Sequence, residues 1–444
     1  MAHYQQQGDI PPKRHTQHRR PLDGDVGGAD AKGELYYEEL MGEEGFSSDS
    51  SLLYHRNIPS TLAGAREWEV GDLGTTPNHP LVPRHLKLHD LFTADDVPLT
   101  DVVTGRRLVL GNGDVRISYA VAGATSPWYR NGIGDECVYV ERGAARVETV
   151  FGAFDVAQGD YLVIPRATTH RWIPVTDGDD PLRTYCIEAN SHIAPPRRYL
   201  SKFGQFLEHA PYCERDLRPP LGTLLAEDIG ADPAEETEVF IKHRGNGPSG
   251  IVGTVHTLPF HPLDVVGWDG CLYPYAFNIK DFEPITGRVH QPPPVHQVFE
   301  GWNFVICNFV PRKVDYHPLA IPVPYYHSNV DSDEIMFYVD GDYEARKGSG
   351  IARGSISVHP GGHAHGPQPG ATEASLGVEY FDETAVMVDT FRPLELGEGG
   401  RAVDDGQYAW SWSAGQRRTG SGGPGGVGTD SGGPGGGGGD FSIG

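Results

Sequence analysis

Through most of the chain, apolar residues fall in short runs rich in Val, Tyr and Ile. Many alternate with polar positions, and Gly, Pro, Asp and Asn separate the runs. Alternation at period two marks a strand with one buried face, whereas an amphipathic helix repeats every three to four positions. The runs at 107–110, 115–121, 137–141, 145–151, 161–164, 304–310 and 384–390 therefore predict β-strands. Helical periodicity is weak, and 202–209 and 219–228 are its best candidates. Residues 34–41 fit a short helix or strand ended by Gly42, and 45–54 a surface turn entering a strand. Short strands punctuated in this way predict an all-β dominated fold with a few short helices, built as sandwiches or barrels.

Spacing adds an internal repeat. Six residues separate Glu136 from Gly143, and six separate Glu334 from Gly341. Gly159-x5-Pro165-x4-His170 matches Gly354-x5-Pro360-x4-His365, 195 residues further on. Two coordinated matches in the same order indicate a duplicated unit. In each copy one strand carries a Glu inward and ends at a Gly suited to a tight turn. A second strand ends at a Pro-containing turn that presents a His, so that Glu and His face each other in a small jelly-roll barrel.

The copies differ in their third polar position. His327 stands seven residues before Glu334, but Tyr129 stands seven before Glu136. Two imidazoles and a carboxylate leave open positions on a ferrous ion, so His327, Glu334 and His365 are the candidate metal ligands and Fe(II) the candidate cofactor. The repeat register favours Glu334 over Asp331 and Asp333, and His365 over His359 and His363. Manganese, nickel and zinc accept the same donors. The first copy keeps Glu136 and His170 without a third ligand, which predicts a structural role: hydrogen bonds to each other or to nearby backbone.

Composition narrows the function classes. A length of 444 residues predicts two domains. Five widely spaced cysteines without a Cys-x-x-Cys pair argue against a zinc ribbon or a disulfide framework. A net charge of −24 argues against nucleic acid as partner. No apolar run is long enough to span a bilayer, and residues 1–20 are polar, which predicts a cytoplasmic protein without a membrane partner. Lys13-Arg14-His15-Thr16-Gln17-His18-Arg19-Arg20 is a local basic cluster, read as a solvated arm or subunit contact. The Gly/Ser-rich stretch 413–444 is expected to be a disordered tail. The domains expected are 1–265, a jelly roll with an arm and the degenerate motif, and 266–412, the barrel with the metal site.

Tyr325-Tyr326-His327-Ser328-Asn329, His365-Gly366-Pro367 and Gly287-Arg288-Val289-His290-Gln291-Pro292-Pro293-Pro294-Val295-His296 resemble the homogentisate 1,2-dioxygenase family of bicupins, as do Lys13-Arg14-His15-Thr16-Gln17 and the stretch 45–56. The resemblance covers about residues 3–410. It implies two cupin-like barrels and a non-haem Fe(II) enzyme that opens homogentisate to maleylacetoacetate with dioxygen, in tyrosine and phenylalanine catabolism. The family's ligands carry over to His327, Glu334 and His365. Its catalytic second-sphere His carries over to His290, and its substrate contacts to Tyr325, Tyr343, His359 and His365. A homo-oligomer, trimer or hexamer, is also implied. Better-known members have one residue fewer between the first His and the Glu, which keeps Asp333 open beside Glu334. A cupin dioxygenase for gentisate or a related hydroxylated aryl acid, and a non-catalytic bicupin, are the alternatives.

Overall fold

The computed structural model describes residues 3–18, 35–71, 73–176, 180–247, 249–286, 296–346 and 348–413. The fold is strand-dominated, as expected. An eight-stranded sheet has the order Tyr275–Asn278, Asp160–Ile164, Glu136–Arg142, Leu182–Ala189, Val115–Ala122, Arg107–Gly111, Glu395–Gly397, Thr75–Pro77. A seven-stranded sheet runs Gly152–Ala157, Ala144–Thr149, His170–Pro174, Trp128–Asn131, Thr237–Arg244, Ile251–Leu258, Gly64–Trp68, and it faces the first to make a jelly roll. The second barrel is built on a six-stranded sheet: Gln297–Gly301, Phe304–Phe309, Glu383–Thr390, Asp333–Gly341, Ser355–His359, Arg84–Lys87.

Strand Glu136–Arg142 shows why its sequence reads as a nearly unbroken apolar run. Val138 and Val140 point into the first barrel, among Leu162, Trp172 and Cys186. Cys137 and Tyr139 point the other way, into a core shared with the second barrel. Both faces are buried, so hydrophobic residues occupy both sets of alternating positions. In that shared core Tyr185 stacks on Phe337 with ring centroids 4.6 Å apart, a contact worth about 0.5–1.5 kcal/mol beyond its buried area.

The repeat glycines do what their spacing implied. Gly341 has φ of +93°, and a Cβ there would meet the Asp382 carbonyl oxygen at 1.8 Å. Gly143 is its counterpart, at +74°. Both admit the sharp reversal that returns the chain toward the next strand.

Two strands cross between the halves of the sequence. Arg84–Lys87 pairs with Ser355–His359 and completes the second barrel's sheet. Glu395–Gly397 pairs with Arg107–Gly111 in the first. Strands Val265–Gly270 and Tyr275–Asn278 also pair with N-terminal partners, across the 265/266 division.

The helix candidates are corrected. Residues 202–209 form turns closed by a Leu200–Phe206 bridge, because Gly204 sits at positive φ and interrupts the helical path. Within 219–228, Pro219, Pro220 and Gly222 leave only a 3-10 turn, Ala226–Ile229. The described part of 34–41 resolves as strand Tyr37–Gly42. In the basic cluster, Arg14 is tied to Asp269 and His15 to Glu38. No helix among the described residues is long and apolar enough to cross a membrane.

Candidate metal centre

The backbones of His327 and His365 are paired, each amide donating to the other's carbonyl oxygen at 2.9 Å. This isolated bridge sets the two rings side by side, centroids 4.4 Å apart. Each Nδ1 meets the carbonyl oxygen two residues earlier: Tyr325 at 3.2 Å and His363 at 3.1 Å. A carbonyl only accepts, so Nδ1 carries the proton and Nε2 presents its lone pair.

Both Nε2 atoms turn toward Glu334, which is 7% exposed near the start of strand Asp333–Gly341. His327 Nε2 lies 3.9 Å from Oε2, and His365 Nε2 lies 3.4 Å from Oε1. One ligand atom from each of the three residues falls within 4.8 Å of the others. His365 Nε2 is buried without a hydrogen-bond partner. An orphaned buried acceptor is costly unless something outside the chain uses it. Two neutral imidazoles, one carboxylate and this orphan fit a divalent metal. The carboxylate register is set geometrically: Asp333 turns away and accepts from the amides of Gly361 and Leu394, both at 2.7 Å.

Glu334 is held from behind. Asn329 Nδ2 donates to Oε2 at 3.2 Å, and His359 Nδ1 lies 2.9 Å from Oε1. The far nitrogen of His359 is 3.0 Å from the Tyr408 hydroxyl, and the ring stacks on His365 with centroids 4.0 Å apart. Burial pushes His359 down to about 3, so the ring is neutral; Nδ1 donates to Glu334, and Tyr408 donates to Nε2. Burial alone would raise Glu334, but the three imidazoles gathered around it, His327, His359 and His365, outweigh burial and hold the carboxyl well below the usual range. Asp389, opposite Glu334 on the neighbouring strand, is raised by burial and by Glu334's charge.

A cavity of about 780 Å³ opens in front. Glu334, Met336 and Tyr338, alternate residues of one strand, line its length, and His327, Tyr325, Tyr343 and Arg346 also face it. Arg346 donates to the Tyr338 hydroxyl at 3.0 Å and to the Gly366 carbonyl at 2.6 Å, neither of them an anion. Of the residues expected at the substrate, Tyr325 is exposed at the mouth and Tyr343 is a buried part of the wall. His359 and His365 are not among the residues that line the cavity; His359 bonds Glu334 and stacks on His365. His290 lies outside the described residues. Asn329, Tyr408 and Asp389 joined the site only in three dimensions.

The first barrel repeats the backbone and changes the chemistry. Tyr129 pairs with His170 just as His327 pairs with His365. Glu136 does not bond His170; it takes Arg106 at 2.8 Å, the Tyr129 hydroxyl at 3.0 Å and Asn131 at 2.8 Å. Arg106 also reaches Glu188 at 3.2 Å, and Lys242 pairs with the same Glu188. A buried guanidinium thus supplies the positive charge that a metal would supply in the second barrel. Another cluster, Glu43, Asp135 and His192, has its own cation: hydrogen bonding to Asp135 and Glu43 lifts His192 to about 10.

A family model described as "Homogentisate 1,2-dioxygenase C-terminal" matches residues 288–418. A Saccharolobus solfataricus protein named "Putative dioxygenase SSO1533" is 37% identical across 93% of this chain and 99% of its own length. The chain belongs to the homogentisate dioxygenase family. Members named homogentisate 1,2-dioxygenase include one from Rhodopseudomonas palustris, 27% identical over 86% of this chain and 87% of the relative. One from Emericella nidulans is 26% identical over 72% and 68%. Among solved structures, a cupin 2 conserved barrel domain protein from Leptotrichia buccalis is 11% identical over 70% of this chain and 97% of its own, with a TM-score of 0.29. As a member of the homogentisate dioxygenase family this chain is an oxygenase of a metal-dependent kind, and its candidate metal ligands are the donors described above.

Proposed function

We propose that the protein is a ring-cleaving dioxygenase with ferrous iron held by His327, Glu334 and His365, and that it opens homogentisate to maleylacetoacetate in tyrosine and phenylalanine catabolism. The observation that carries this reading is the convergence of two Nε2 lone pairs, one of them orphaned, on a single carboxylate beside a large cavity. Ferrous iron bound there would supply a Lewis acid for the phenol and an electron source for dioxygen.

The chain's own groups do the rest. His359 and Asn329 fix the plane of Glu334, so the carboxylate does not have to reorganise on binding. Arg346, on the cavity wall and bonded among the described residues to a hydroxyl and a carbonyl, offers its charge to the carboxylate of an aryl acid, which gives so acidic a chain a place for an anion. His290 is the base for the second ring hydroxyl, a role suited to imidazole. Tyr325 and Tyr343 contact the substrate from the mouth and the wall. The same reading makes the protein a cytoplasmic homo-oligomer.

Anaerobic loading with ferrous salt, then oxygen-electrode traces with homogentisate and gentisate, tests the proposal. Oxygen uptake with homogentisate and an ultraviolet-absorbing ring-opened product is expected. Uptake with gentisate alone would move the substrate to that acid. Full iron loading without uptake on either would remove the reading.

A further inference from the structure

The two barrels are an internal control for one another, because the repeat fixes which residues correspond. Val138, Leu162, Ile164 and Trp172 of the first barrel match Met336, Ser357, His359 and Pro367 of the second. In the first barrel these residues form a closed hydrophobic cluster, with Trp172 wholly buried at its centre. In the second, Met336 and Pro367 line a cavity of about 780 Å³. Across the strands Val138 faces Leu162 and Cys186, whereas Met336 faces Ser357 and Met387. Protein interiors are normally packed as densely as organic crystals, with few voids larger than a water molecule. In the twin the corresponding positions pack solid, and at those that line the hollow a Trp has become a Pro and a Val has become a Met.

The hollow is deep as well as wide. Its wall follows Glu334, Met336 and Tyr338, and four residues of strand at about 3.3 Å each extend roughly 13 Å away from the metal triad. Beyond the triad the lining includes Phe309, Phe381, Ala385 and Met387. Cavities of ~300–1,000 Å³ enclose ligands of drug size, and a single-ring acid such as homogentisate is far smaller.

We propose that the site accepts, besides homogentisate, a hydroxylated aryl acid carrying an apolar substituent, the ring and carboxylate lying at the triad and the substituent along Met336, Met387 and Phe381. This rests on the ring-cleaving reading for the placement of the ring; the substituent site rests on the cavity. The flexible thioethers of Met336 and Met387 suit an apolar group of irregular outline.

The test compares homogentisate with homogentisate bearing a phenyl group on a ring carbon, binding both to the iron-loaded protein without oxygen, by calorimetry. The phenyl acid is expected to bind at least about tenfold more tightly, from the apolar area it buries. Ala385→Leu, which narrows the cavity beyond the triad, should reduce that preference severalfold while homogentisate affinity holds within about threefold. Equal or weaker binding of the phenyl acid overturns the proposal, whether or not homogentisate drives oxygen uptake. Tight phenyl-acid binding without uptake on any acid leaves the cavity assignment standing and removes the ring-cleaving reading. If Ala385→Leu misfolds, the comparison of the two acids on the wild-type protein decides the proposal by itself.

Discussion

Tyr408→Phe removes one hydroxyl from behind the metal centre and leaves the ring in place. That hydroxyl is 3.0 Å from His359 Nε2, and the opposite nitrogen of the same ring is 2.9 Å from Glu334 Oε1. His359 is wholly buried, so no solvent replaces the lost donor. A buried acceptor left unpaired costs about 1–3 kcal/mol, enough to make other ring orientations competitive. Each such orientation takes a hydrogen bond from Glu334 and leaves Asn329 to hold it. Loss of an outer partner of a metal ligand typically costs 10–100-fold in affinity, or about 1.4–2.7 kcal/mol. Equilibrium dialysis of the wild type and Tyr408→Phe against ferrous ion under anaerobic conditions reads this directly, with urea unfolding of both apo-proteins alongside. Weaker metal binding by at least about tenfold is expected, beyond a modest loss of apo-protein stability. Ferrous affinity unchanged within about twofold would refute the idea that Tyr408 acts through His359 on Glu334.

Three further outcomes follow from the geometry. Arg106→Met strips the ion pairs to Glu136 and Glu188, leaving buried carboxylates with fewer partners, and should cost about 3–5 kcal/mol by urea unfolding; a loss under about 1 kcal/mol contradicts the charged-plug description. His55 is buried, which alone would lower its pKa, but hydrogen bonds to Asp264 and Glu39 raise it to about 9. Its stabilising contribution is therefore complete below its unfolded pKa of ~6.5 and fades as pH rises through 9; of order 3 kcal/mol should be lost over that window and be absent in His55→Gln, and a wild-type slope that survives the substitution places the effect elsewhere. Burial and the charge of Glu334 push Asp389 up, which favours its neutral form, so the isosteric Asp389→Asn should keep metal affinity within about threefold; a loss beyond about tenfold would show an ionised carboxylate at work.

Much of this was legible in the sequence because it rests on short-range patterns. Apolar alternation gave strands close to their observed limits, as at Val115–Ala122, Asp160–Ile164 and Phe304–Phe309. The repeat placed Glu334 and His365 across the barrel from each other and matched Tyr129 to His327, and the backbone pairing of each with its His shows the reason. Tyr408 was invisible because nothing local distinguishes it; it reaches His359 only after the chain has passed through the other barrel's sheet. Arg106 was missed for a related reason, since its partners lie far along the chain at Glu136 and Glu188. His359 entered as a substrate contact through the family resemblance, and its place beside Glu334 depends on register across two strands. The helix at 202–209 failed because composition alone cannot weigh one left-handed glycine.

The exchange of edge strands affects how the molecule is made. A ribosome releasing this polypeptide from its N-terminus exposes Arg84–Lys87 long before its partner, Ser355–His359, has been synthesised. The earlier barrel, for its part, waits for Glu395–Gly397 before that side of its sheet is covered. Neither half can therefore close until these late strands have been made. Until then each lacks an edge partner, the interval in which unpaired edges recruit neighbours and chaperone protection matters most. Cutting the gene between the barrels would make that interval permanent: a fragment beginning at 266 would retain its three metal donors but lack the strand that closes its sheet beside Ser355–His359.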